Sequence, residues 1–195
     1  MSGKIKVLVF AGSTREGSFN KKLARVAAEA LKKTTAEVTL VDLRDYPMPL
    51  YDGDLEAKSG LPENAKKFKK LMIEHQAFFI ASPEYNSSIT GVLKNTLDWA
   101  SRAESDAEPS LVAYKGKVAA LTSASPGMLG GLRSLVTLRS MLGNIGVFIL
   151  PDQIAVSKAN EAFDKEGKMI DAKRQASIEK LAADLVKITG ALANA

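Results

Sequence analysis

Short, nearly continuous apolar runs alternate along this chain with stretches whose apolar residues recur every three to four positions. This alternation constrains the fold more tightly than any other feature of the sequence. Residues 5–10, 37–43, 77–81, 117–122 and 147–150 read as strands, the first nearly continuous in apolar residues as a strand covered on both faces should be. Between and after them, Leu23, Val26, Ala27, Ala30 and Leu31 form one helical stripe, and a second helix opens at Pro62 and runs to His75. Ile89, Val92, Leu93, Leu97 and Ala100 form a third, and Leu132, Leu135, Val136 and Leu142 a fourth. Ile178, Leu181, Ala182, Leu185, Val186 and Leu192 mark a closing fifth. Strands and helices in strict alternation require crossover connections, hence a parallel sheet with helices on both faces: an α/β three-layer sandwich. No linker, repeat or low-complexity tract divides the 195 residues, so residues 1–195 are expected to form a single domain.

Composition removes whole classes of chemistry. There is no cysteine, which excludes disulfides, thiolate catalysis and cysteine-bound metal, and one histidine, His75, which reads as a packed residue at a helix end. No metal site is therefore expected. Lys and Arg exceed Asp and Glu by 27 to 22, with a pI near 9.3, a balance that favours anionic small molecules. The basic residues are scattered; their densest run, Lys66-Lys67-Phe68-Lys69-Lys70, reads as a solvated helix face, and no nucleic-acid partner is expected. The amino-terminal apolar run is too short for an export signal and no segment reaches the length of a membrane span, so a cytoplasmic protein is expected.

In an open parallel sheet, ligands bind beyond the carboxyl ends of the strands. That rule selects residues 12–20, 82–88 and 122–131. The first loop, AGSTREGSFN, has Gly12 and Gly17 to turn the backbone, a helix start to bind an anion, and Ser13, Arg15, Ser18 and Asn20 as donors. Its spacing matches GxxxxG, but Ser18 and Phe19 stand where a triphosphate loop needs lysine and a hydroxyl. Thr14 replaces the second glycine of GxGxxG. A terminal monophosphate fits better than a triphosphate or a pyrophosphate. The second loop, SPEYNSS, offers Tyr85 and Asn86 to a planar heterocycle, and serves equally well as a proline turn with a helix cap. The third, TSASPGMLGG, lacks GxSxG and any histidine to activate a serine.

GSTREGSFN after the first strand, SPEYNSSITGVLKNTLDWASR from the third strand through its helix, Pro49-Leu50-Tyr51-Asp52, and SASPGMLGG after the fourth strand together resemble the NAD(P)H-dependent FMN reductases. These are flavodoxin-like proteins that include quinone, chromate and azo-dye reductases. The resemblance implies a five-stranded parallel sheet in the order 2-1-3-4-5. It implies bound FMN, with Ser13, Arg15, Ser18 and Asn20 holding the phosphate and Phe19 also among the cofactor-binding residues. Pro83, Glu84, Tyr85 and Asn86 would lie along the ribityl chain and ring, with Ser123 and Gly127 contacting the flavin from the third loop. Leu93, Leu97 and Trp99 are read as core or subunit-contact residues. The resemblance further implies NADPH or NADH as co-substrate, ping-pong transfer to small-molecule electron acceptors, no catalytic side chain, and a homodimer or homotetramer. A flavodoxin-type carrier that does not itself oxidise NAD(P)H is the alternative; the high pI and the PEYN turn count against it.

Overall fold

The structure, a computed structural model, describes residues 3–193. Its strands are β1 (Lys6–Ala11), β2 (Glu37–Asp42), β3 (Ala77–Ala81), β4 (Val118–Ala124) and β5 (Phe148–Val156). Its helices are α1 (Phe19–Lys32), α2 (Gly53–Ser59), α3 (Glu63–Glu74), α4 (Gly91–Ala100), α5 (Leu132–Asn144), α6 (Ala159–Ala162) and α7 (Ala172–Ala193). All neighbouring strands pair in parallel, in the order β2-β1-β3-β4-β5, the flavodoxin-like arrangement the sequence leads one to expect.

Alternation within each strand divides the core in two. Val7, Val9, Phe79 and Ala120 face α1 and α7, packing on Leu23, Ala27, Leu31, Leu181 and Leu185. Leu8, Phe10, Phe78 and Ile80 face α3, α4 and α5, packing on Phe68, Met72, Leu93, Leu97 and Leu138. Each fully buried leucine or phenylalanine here contributes about 1.5–3 kcal/mol of transfer free energy.

The structure departs from the sequence reading in places that have physical causes. Between the second strand and the helix that opens near Pro62, where the sequence pattern gives no regular element, lies α2, whose amino terminus is capped by Asp52 accepting from the backbone N–H groups of Asp54 and Leu55. No residue of this helix is fully buried, so it leaves no apolar stripe to read. β4 runs two residues beyond Thr122. β5 does not stop before Pro151: a bulge between the Ala119–Ile149 and Leu121–Gln153 pairs takes up the proline, and Arg139 donates to the carbonyls of Leu150 and Pro151 there. Lys69 leaves the solvated face expected for its run. It is 1% exposed, donating at 2.7 Å to the Arg102 carbonyl and pairing with Glu108, and so fastens the segment 103–116 to α3.

Candidate active site

β1 delivers the chain into the first loop at Ala11, and α1 takes it up at Phe19. Gly12 is required by packing: a Cβ there would lie 2.8–2.9 Å from Leu93 Cδ2 and Cβ. This close approach seats the loop on α4. Thr90, the N-cap of α4, secures it by donating to the Gly12 carbonyl at 2.6 Å. On the outer side, Glu16 pairs with Arg44 and Lys21 with Asp42, each at 2.6 Å, so the loop is staked to the end of β2.

The inner side is left rich in donors. Ser18 is the N-cap of α1 but makes no side-chain cap bond, and the first turn carries no acidic residue. The first-turn N–H groups of a helix have no acceptor within it, and here their partial positive charge is uncompensated. Arg15 lies over the Phe19 ring at 5.8 Å, and one guanidinium nitrogen donates to the Gly17 carbonyl at 3.0 Å. Ser13 Oγ accepts from the Arg15 N–H, which turns this hydroxyl inward.

Across the cleft, Tyr85 and Ser88 exchange two backbone hydrogen bonds around Asn86 and Ser87, both with positive φ, the signature of a tight I′-type turn. A serine held in that conformation is strained, and such strain concentrates at binding sites. Glu84 points away from the turn: its carboxylate accepts from the backbone N–H of Arg133 and pairs with the Arg133 guanidinium. The carboxylate thus caps α5 and is neutralised, leaving the cleft without a free negative charge from this residue. Under the turn, Ser123 is fully buried and its Oγ has no hydrogen-bond partner. A Cβ on Gly131 would run into that oxygen.

Ser13, Arg15, Ser18, Phe19, Asn20, Pro83, Glu84 and Tyr85 converge on one cleft of about 230 Å³, closed on its third side by Ala124, Ser125 and Pro126. Asn86, at the tip of its turn, and Gly127 stand outside this lining, as does Ser123, which belongs to β4. Asn20 holds the wall itself. Its side-chain amide exchanges two hydrogen bonds with the backbone of Ala124, at 2.8 and 2.9 Å, and so joins the first loop to the third.

Some contributors escape sequence reading. Arg133 and Thr90 act through partners 49 and 78 residues away, a distance no local pattern spans. The LKN and DW residues also acquire a reason. Asn95 and Trp99 both donate to the Pro49 carbonyl at 2.8 Å, and Asn95 accepts from the Tyr51 N–H, so α4 grips the segment preceding α2. Trp99, Leu93 and Leu97 are buried, as core residues should be.

The donor set fits a flavin mononucleotide phosphate: two hydroxyls, a guanidinium and an uncompensated helix start, with no lysine for a longer phosphate chain. Among the described residues no His, Asp and Glu cluster could hold a metal ion, and no helix is long and apolar enough to cross a membrane.

The chain has relatives among known proteins. The chain is 36% identical over 181 residues to an NAD(P)H-dependent FMN reductase of Pseudomonas aeruginosa, covering 92% of each chain. It is 33% identical over 187 residues to a quinone reductase of Pseudomonas putida, covering 94% of this chain and 96% of that one. Among solved structures, the Paracoccus denitrificans flavoenzyme FerB, an NAD(P)H:(acceptor) oxidoreductase, superposes with a TM-score of 0.80 at 27% identity, covering 95% of this chain and 97% of that one. An archaeal flavodoxin shares the fold at a TM-score of 0.61 and 10% identity, over 95% of this chain and 99% of that one. The sequence pattern of the NADPH-dependent FMN reductases matches residues 5–161, and this chain belongs to that family.

Proposed function

We propose that this chain is an FMN-dependent NAD(P)H oxidoreductase that passes electrons to quinones and related small acceptors. One observation carries the reading: the cleft in which Ser13, Ser18, Arg15 and the open start of α1 face the Pro83–Tyr85 segment across a wall joined by Asn20. Ser13, Ser18 and Arg15 would bind the phosphate dianion. Phe19 and Asn20 would act indirectly, one beneath Arg15 and the other through Ala124. Pro83, Glu84, Tyr85 and Asn86 would line the ribityl chain and ring, with Ser123 and Gly127 supporting the third loop. Bound FMN would supply the redox chemistry, hydride uptake from NADPH or NADH and electron transfer to an acceptor. The protein's share would be to hold the ring with one face open and to keep competing charge away, for which no side-chain acid or base is needed. Glu84 is suited to that task because Arg133 already neutralises it.

The same open face would accept free flavin, azo dyes or chromate. We read residues 1–195 as one cytoplasmic FMN-binding unit that assembles as a homodimer or homotetramer. The test is anaerobic titration of the FMN-loaded protein with NADPH and NADH. Bleaching near 450 nm without a partner reductase, followed by recolouring on addition of a quinone, is the expected result. A protein that retains FMN but is bleached by neither nucleotide would be an electron carrier instead. Replacing Arg15 with alanine should weaken FMN binding about tenfold to a hundredfold, the worth of a hydrogen bond to a charged group, and leave riboflavin binding unchanged.

A further inference from the structure

Phe163 lies far from the first loop in sequence and does not line the cleft. Its ring nevertheless stacks on Phe19, with centroids 6.4 Å apart and planes 11° from parallel. Phe19 in turn carries the Arg15 guanidinium at 5.8 Å. Lys22 flanks both rings, 5.9 Å from the Phe19 centroid and 6.0 Å from that of Phe163.

The ring of Phe163 has little freedom of its own. It is 7% exposed, its backbone bridges to Met169, and Ile170 donates to the Ala162 carbonyl at 3.0 Å, which closes residues 162–170 into a turn against α1. Gly167, at φ +84°, brings that turn against the stem of Lys22. The Phe19 ring thus stands between two contacts, the stacked ring of Phe163 and the guanidinium of Arg15.

We propose that Phe163 is a positioning residue for the phosphate seat: it fixes the Phe19 ring, and the ring fixes the direction of the Arg15 guanidinium. The inference rests on the FMN reading above. It assigns part of the cofactor's affinity to the segment between β5 and α7, which contributes no lining residue from Phe163 onward. A cation over an aromatic ring at an exposed site is worth roughly a twofold to fivefold change in affinity, so the effect sought is of that size.

The experiment compares FMN and riboflavin, which differ only in the phosphate, by fluorescence titration of the purified full chain. Phe163→Leu and Phe163→Met keep most of the buried volume and remove the ring, and using both guards against one failing to fold. Each should weaken FMN about twofold to fivefold and leave riboflavin within error. In an Arg15→Ala background the same changes should have no further effect on FMN. Equal losses for both flavins would make Phe163 a packing residue only and overturn the inference. So would an undiminished FMN loss in the Arg15→Ala background, or no FMN loss in either variant. These outcomes are distinct from failure of the underlying reading. In that case the wild-type chain binds neither flavin, or Arg15→Ala alone leaves FMN affinity intact.

Discussion

Gly12 offers a direct way to separate packing from ligand approach, because the two explanations give opposite results for Gly12→Ala. The added methyl would sit 2.8 Å from Leu93 Cδ2, 2.9 Å from Cβ and 3.2 Å from Cγ. Leu93 is fully buried, so the side chain cannot swing into solvent. The loop cannot easily lift away either, since its backbone donates to the Ala81 carbonyl at 2.9 Å and accepts from Thr90 at 2.6 Å. Overpacking of this kind costs about 1–3 kcal/mol. For a chain of this length that corresponds to a fall in Tm of about 2–12 °C. The assay is urea and thermal unfolding of the flavin-free protein. The informative variant is Gly12→Ala combined with Leu93→Val, which removes one of the crowding carbons. If packing is the reason for the glycine, the double variant should be more stable than the sum of its parts predicts, by about 1 kcal/mol of coupling or more. Unchanged stability of Gly12→Ala together with weakened FMN binding would refute the argument and return Gly12 to the ligand.

Other consequences can be measured separately. Glu84→Ala removes the acceptor for the Arg133 N–H and the partner of its guanidinium, and should destabilise by about 1–2 kcal/mol through the lost cap while weakening flavin binding; calorimetry with and without FMN checks both. Lys69→Met leaves the Arg102 carbonyl without its donor and Glu108 without its pair, a loss of about 1–3 kcal/mol. Limited proteolysis should then cut within residues 103–116 sooner than in the wild type. Burial holds His75 below its usual value of 6.5, its Nδ1–H donating to the Leu71 carbonyl and Nε2 accepting from Thr39. The unfolded chain therefore takes up the proton first. Its contribution to stability is complete above pH 6.5 and lost as pH falls through the folded-state value. His75→Gln should flatten that part of the urea-midpoint profile, and an unaltered slope would assign it to other groups.

How much was legible follows from where each signal resides. The strand and helix order could be read because Val7 to Phe10 and Phe78 to Ile80 are buried on both faces, and burial of that kind dictates residue type. The convergence of Ser13, Arg15 and Ser18 on one cleft could be read because these donors lie close together in one short loop after β1. α2 could not, since no residue of it is fully buried, only Leu55 packs partly on the Trp99 cluster, and its start is marked mainly by the Asp52 cap. Nor could the two roles of Glu84, because its identity suggests a ligand contact while its partner lies on α5. Asn20 reads in sequence as a free donor, whereas in the fold it lines the cleft with its amide committed to Ala124, a partner 104 residues away.

The bulge in β5 has a consequence for how this sheet tolerates changes in length. Pairing resumes with two extra residues on β5, so the residue facing any β4 partner keeps the same odd or even character before and after the interruption. Leu150 and Val156 accordingly enter one core and Ile149 and Ala155 the other, across the interruption. Deleting two residues there would shorten the strand in phase, whereas deleting one would exchange every inward and outward side chain beyond it. Length variation at this point of the strand is restricted to even steps.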